Sequence, residues 1–411
     1  MSAYIYDAVR TPFGKFGGAL ADVRTDDLAS SVIAAIAKRN DSLDPAAIGE
    51  VIWGCANQAG EDNRNVGRMG ALLAGLPTSV PATTVNRLCG SSLDAVMMGS
   101  RIVETGDADV VLVGGVESMT RAPWVLPKPS RAYPAGDVTA VSTTLGWRLV
   151  NKAMPKEWTV SLGECNEQLQ ERFQISRERQ DAFAARSHQL AAQAWEDGFY
   201  DDLVVPVEGS DLARDEGIRA GSTPEKLAAL RTVFRPEGTI TAGNASPLSD
   251  GASALLIGSR EAAEKIGKAP IARIAGRGTH ALDPQDFGFA PTEAANKALA
   301  AAGITWDDVE AVEVNEAFAV QTLACADAWG IDHQIVNTRG GAIALGHPLG
   351  ASGGRILGTL AKRLQEDNQR WGVAAICIGV GQALAVVLEN SAFEAAFETS
   401  ATNSATNEES N

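Results

Sequence analysis

Cys89 stands in NRLCGSSLDAVMMG, where the chain turns into a helix through Gly90, Ser91 and Ser92. A thiol at a helix start has its thiolate stabilised by open main-chain amides and by the helix dipole, the environment of a cysteine nucleophile. Residue type alone favours packing, since most lone cysteines are small buried hydrophobes. Cys377, in AAICIGVGQ, closes an apolar strand just before a Gly-Val-Gly turn, a place where strand ends present catalytic groups to accessible backbone. His347, one of four histidines, lies among Gly340, Gly341, Gly346, Gly350, Gly353 and Gly354. Core filling needs no backbone that bare, whereas a histidine facing a reacting carbonyl does. Asn315 and Glu316 open NEAFAVQ after another apolar strand. The carboxamide can hold a water or an oxyanion and the carboxylate can orient a neighbour, although such a pair also serves as a helix cap. These groups make covalent catalysis only if the fold brings them together.

An internal repeat supplies the means. LDPAAIGEVIWG (43–54) and ITWDDVEAVEVN (304–315) place apolar residues alike, Ile48 with Val309, Val51 with Val312 and Trp53 with Val314. Each follows an alanine-rich helical stretch, 28–38 or 293–302, and reads as helix, turn and buried strand. A second unit then matches, VNRLCGSSLDAV (85–96) with VNTRGGAIALGHPLGASGGRI (336–356), each passing through small residues into a helix. Both end in an apolar strand running into glycines, DVVLVGGVES (109–118) and VAAICIGVGQ (373–382). Two β-α-β-α-β halves imply a pair of mixed sheets with helices between and around them, an α/β architecture. Cys89, Asn315, His347 and Cys377 all fall at corresponding strand ends or helix starts, so pseudo-symmetry would gather them at one place.

The remainder sorts into units: residues 1–118 with 246–269 as the first half, 119–245 as an insertion, 270–393 as the second half, and 394–411 as a disordered tail. The insertion has irregular Pro- and Trp-bearing segments and an amphipathic helix at 176–195. It also carries a basic cluster, Arg214, Arg219, Lys226, Arg231 and Arg235, whose chemistry suits a phosphate but whose pattern alone reads as a solvated, ion-paired face. With 51 acidic and 35 basic residues the formal charge is −16, which excludes nucleic acid or an anionic membrane as main partner and leaves any anionic substrate to a local basic patch. Five scattered cysteines make neither a disulfide framework nor a CxxC metal pair, so a reducing cytoplasm and no metal are expected, with Cys55, Cys165 and Cys325 as packing. No apolar stretch reaches the length of a membrane span.

The blocks NRLCGSSLDAV, GGVESM, TAGNASPLSDGA, NEAFAVQ, GGAIALGHPLGASGGR and CIGVGQ, in that order, resemble the thiolase family over nearly the whole chain. The resemblance implies a five-layered α/β fold with an inserted loop domain covering coenzyme A, and a homodimer or homotetramer. It implies that coenzyme A is a substrate and that no cofactor is permanently bound. It further implies Cys89 as the nucleophile that takes the acyl group of a 3-oxoacyl-CoA, and His347 as the group that activates it. A water held by Asn315 would join His347 at the thioester oxyanion. Cys377 would be the acid/base, and the amides of Cys89 and Gly379 a second oxyanion site. Ser246, Phe318 and Arg219 would contact coenzyme A. The chain departs from relatives at CGSS after the nucleophile's leucine, at Ser161-Leu162-Gly163 where biosynthetic thiolases carry His-Met-Gly, and at Ala383. Segments 53–69 and 143–151 look most like the 3-oxoadipyl-CoA branch of degradative thiolases. The alternatives are a biosynthetic acetyl-CoA acetyltransferase and a non-catalytic acyl-CoA- or lipid-binding relative.

Overall fold

The structure is a computed structural model and describes residues 1–394, so that the expected disordered tail falls, from residue 395 on, outside the described residues. The first half runs β1 (Tyr4–Arg10), β2 (Gly14–Lys15), α1 (Thr25–Arg39), β3 (Glu50–Gly54), α2 (Val66–Leu73), β4 (Ala82–Val85), α3 (Ser91–Thr105) and β5 (Val110–Ser118). The chain then leaves the sheet for β6 (Trp124–Val125), β7 (Val141–Ser142), α4 (Leu162–Phe173), α5 (Arg177–Glu196) and α6 (Pro224–Ala228). It returns as β8 (Ser249–Gly258) and α7 (Ala262–Ile266). The second half runs β9 (Ala272–Ala281), α8 (Pro291–Ala302), β10 (Ala311–Val314), α9 (Ala319–Trp329), α10 (Ala342–Leu345), α11 (Ser352–Glu366), β11 (Trp371–Ile378) and β12 (Gln382–Asn390).

The repeat read from the sequence is a repeat of topology. In the first half the strands lie in the order β4-β3-β5-β8-β1, and in the second β10-β11-β12-β9, with a parallel bridge from Val312 to Val336 standing where β4 stands in the first. One difference from expectation emerges: antiparallel pairing of Tyr4 with Arg273 and of Ile5 with Ala272 joins the two sheets into one ten-stranded sheet. β1 and β9 are the inner edges of the halves, and leaving those edges unpaired inside the molecule would strand buried N–H and C=O groups.

Helices make the other layers. α1 and α2 pack on the first half of the sheet, α8 on the second, and α3 meets α11 between them. Leu93 and Val96 of α3, Leu357 and Leu360 of α11 and Ile376 and Val386 from the strands share one buried core. Glycine lets α11 come this close: a Cβ on Gly353 would lie 2.4 Å from the Leu93 nitrogen. The expected insertion helix is present as α5, with Ser176 Oγ accepting from the Arg179 amide at 3.3 Å. α4 was not anticipated, although Ser161 three residues before Glu164 is a start signal, and its Oγ caps the Glu164 amide at 3.2 Å.

Candidate active site

Cys89 is set by the link between β4 and α3. Leu88 takes a left-handed backbone, φ +45°, and a short 3-10 turn over Leu88–Gly90 leads into the helix. That conformation costs a leucine about 1–3 kcal/mol. The surroundings hold it: the Leu88 amide donates to Asn86 Oδ1 at 2.9 Å, and Ser91 Oγ donates to the Leu88 carbonyl at 2.7 Å. Gly90 is required on the other side, since a Cβ there would lie 2.4 Å from Ile378 Cδ1. The Cys89 turn of the first half is thereby seated on the end of β11 from the second, next to Cys377 and Gly379.

His347 is placed by the glycine run. Gly346 has φ +112°, and its missing Cβ lets the His347 amide donate to Ser249 Oγ at 3.0 Å. The ring nitrogen Nδ1 lies 2.6 Å from Ser352 Oγ, and that hydroxyl donates to the Pro348 carbonyl at 2.9 Å. A hydroxyl has one proton, so Ser352 accepts from Nδ1–H and the lone pair falls on Nε2. Asn315 Nδ2 sits 3.3 Å from both ring nitrogens, and its Oδ1 accepts from Arg355 Nη2 at 3.2 Å, which fixes the carboxamide's orientation. Burial, then the Arg355 charge, push His347 down to about 3, leaving a neutral base at physiological pH.

The thiolate expected of Cys89 is not standing in this structure. Burial pushes its thiol up to about 11, outweighing the amides of Gly379 and of Cys89 itself, which bear on the sulfur and lower it. Desolvation wins because the Cys89 side chain is buried at the cavity wall, and two main-chain amides do not make up for the water it has lost. The pair is therefore neutral thiol and neutral imidazole. Alkylation of Cys89 by iodoacetamide should rise about tenfold per pH unit between pH 6 and 9, since the thiolate fraction climbs below the thiol's own value. A plateau near neutral pH would mean a standing thiolate–imidazolium pair instead. Mass-spectrometric peptide mapping reads out both rate and site.

Cys89 is the one cysteine on the wall of two joined cavities of about 400 and 450 Å³. Met119, Trp147, Leu162 and Leu349 line both. Gly379, Asn86 and Arg148 face the first; His347, Ser246 and Phe318 face the second, as do Ser161 and Gly163. Asn315 and Cys377 are fully buried just behind this wall, and burial, foremost, pushes the Cys377 thiol well up. Arg219 is not brought to either cavity; it is exposed, and its amide donates to His188 Nδ1 at 3.2 Å. Its basic companions are largely engaged: Arg235 pairs with Glu164 and Glu171, Arg214 with Glu196, and Lys226 donates to the Gly221 carbonyl. Glu316 orients structure rather than substrate, accepting from Ser187 Oγ at 2.7 Å, Asn337 Nδ2 at 2.8 Å and the Ile343 amide at 3.1 Å.

Sequence reasoning missed Ser352, Arg355 and Glu117. Glu117 lines the first cavity with its oxygens turned to the amides of Ala56, Asn57 and Gly350, and burial pushes it up to about 7. With Cys55 and Asp62 it makes a buried group of metal-ligand types, but these three amides already occupy its oxygens. All five cysteines are free. Among the described residues no helix is long and apolar enough to cross a membrane.

A family model described as "Thiolase, N-terminal domain" matches residues 3–261, and one described as "Thiolase, C-terminal domain" matches residues 268–390. The chain is 48% identical to a beta-ketoadipyl-CoA thiolase of Acinetobacter baylyi, over 94% of this chain and 99% of that protein. It is 46% identical to a 3-oxoadipyl-CoA/3-oxo-5,6-dehydrosuberyl-CoA thiolase of Escherichia coli, over 94% and 99%. Among solved structures, human mitochondrial 3-ketoacyl-CoA thiolase in complex with CoA superposes with a TM-score of 0.88 at 35% identity, covering 95% of this chain and 98% of that one. The Bacillus anthracis acetyl-CoA acetyltransferase gives 0.87 at 36%, with the same coverage.

Proposed function

The chain belongs to the thiolase family, and from that premise we propose that its substrate is 3-oxoadipyl-CoA or a closely similar 3-oxo dicarboxylic thioester, worked on by Cys89, His347 and Cys377. It is an acyltransferase that cleaves 3-oxoacyl-CoA with CoA. The observation that carries the residue assignment is that Cys89, shared by both joined cavities, has the Gly379 amide on one side and His347 on the other, groups drawn from the second half.

In this reading Cys89 Sγ attacks the C3 carbonyl while its proton passes to His347 Nε2, the nitrogen left with a lone pair by the Ser352 contact. The amides of Cys89 and Gly379, which already bear on the sulfur, receive the oxyanion. The C2–C3 bond breaks, the acyl group stays on Cys89, and the acetyl-CoA enolate takes the Cys377 proton. An incoming CoA thiol gives its proton to the Cys377 thiolate and attacks the acyl-enzyme. The Cys89 sulfur leaves and recovers its proton from His347, so both proton carriers end as they began. Neutral starting forms suit this cycle, because no buried charge has to be held between turnovers.

A thiolysis screen across 3-oxoacyl-CoAs tests the substrate. The highest kcat/KM is expected on 3-oxoadipyl-CoA, and a maximum on acetoacetyl-CoA or on unbranched monocarboxylic chains would sink the dicarboxylate reading.

A further inference from the structure

We propose that Arg148 is the residue that selects a terminal carboxylate on the acyl chain. The inference rests on the dicarboxylate reading above and names the part of the protein that enforces it. Among the described residues, Arg148 is the only Lys or Arg lining the joined cavities. Its partners are neutral: Nη1 donates to the Thr143 carbonyl and Nη2 to Asn57 Oδ1, both at 3.2 Å. Asn57 is itself tied down, its Nδ2 donating to Thr143 Oγ1 at 3.3 Å, so the guanidinium is held in place without being neutralised. A guanidinium carries five N–H donors, and these two bonds leave three for a carboxylate.

The neighbouring arginines are compensated. Arg87 pairs with Asp94 at 2.8 Å and Arg121 with Glu61 at 2.5 Å. Glu117, the one acidic side chain on the same wall, turns its oxygens to three main-chain amides and away from a competing role. In a chain of net charge −16, one uncompensated cation beside the nucleophile is a strong local preference for an anion. Placement agrees: Arg148 lines the first cavity and Ser246 and Phe318 the second, with Cys89 shared. If the thioester arm lies along Ser246, the acyl tail beyond Cys89 runs into the cavity where Arg148 waits, past the apolar walls of Met119 and Leu162 that suit methylenes.

The test compares 3-oxoadipyl-CoA with 3-oxohexanoyl-CoA, an uncharged chain of equal length, on wild type, Arg148→Gln and Arg148→Lys. The readout is the ratio of kcat/KM for the charged over the uncharged substrate. Arg148→Gln should lower that ratio about 100-fold, chiefly through KM, and Arg148→Lys about tenfold, because a lysine keeps the charge but not the two-pronged donor geometry. A wild-type ratio near one would overturn the dicarboxylate reading and this inference with it. A high wild-type ratio that Arg148→Gln leaves intact, because both substrates suffer equally or neither suffers, would overturn the role of Arg148 alone. Should Arg148→Gln fail to fold by circular dichroism, Arg148→Lys decides: a reduced ratio supports the assignment and an unchanged one removes it.

Discussion

Cys89→Ala is expected to lower thiolysis by at least about 10⁴-fold, because the acyl group then has no sulfur to bond to and only binding and oxyanion donors remain. Intact-mass measurement gives an independent reading: wild type mixed with a 3-oxoacyl-CoA and no free CoA should gain the mass of the acyl group, and the variant should gain none. The same change should cost little stability, since it removes one sulfur from a side chain that is 7% exposed at a cavity wall. Combining Cys89→Ala with His347→Ala should be scarcely worse than either alone, as residues acting as a unit are not additive. Residual activity above about a hundredth of wild type, or an acyl adduct that persists in the variant, would place the nucleophile elsewhere.

The second large effect lies behind the site. Glu313 on β10 is fully buried; Arg363 Nη1 donates to its Oε1 at 2.6 Å, and Arg355 Nη1 stands 3.9 Å from its Oε2. Arg355 in turn holds Asn315 beside His347. Glu313→Ala leaves two buried guanidinium groups facing an empty space, and losing one partner of such a pair costs about 3–5 kcal/mol. Urea denaturation should show that loss, and kcat should fall as Asn315 loses its anchor. A stability change under about 1 kcal/mol would mean that water or main-chain carbonyls already satisfy both arginines. Replacing all three charged residues with apolar ones is expected to restore stability but not kcat, which separates the packing role from the positioning role.

The repeat made the architecture legible, because it fixed where apolar strands end, and Cys89, Asn315, His347 and Cys377 were found by asking what stands at those ends. The glycines around His347 were readable for the same reason: bare backbone implies close approach, and the positive φ of Gly346 and the contact of Gly353 with Leu93 are what the bareness permits. Other features needed the third dimension. Glu313 in AVEV and Arg355 in GASGGR were visible as charges among apolar or small residues, yet their pairing joins a strand to a distant helix. Spacing reports the helix start at Cys89 but not the burial that pushes its thiol up against the helix dipole. Arg148 lies in an irregular stretch with no periodicity to mark which way it faces, and the pairing of β1 with β9 is an edge contact that no local pattern announces.

The seam between β1 and β9 makes one body of what began as two equivalent units, and it lets those units diverge in occupation. The stretch after β4 and its counterpart after Val336 hold matching places in the repeat, yet the first carries Cys89 while the second leads into the loop of His347. Asn315 and Cys377 also come from the second unit. In the proposed mechanism one copy is the acyl carrier and the other the proton handler. On that assignment neither copy could complete the cycle by itself, and any hinge at the seam would separate carbon chemistry from proton chemistry in a single movement.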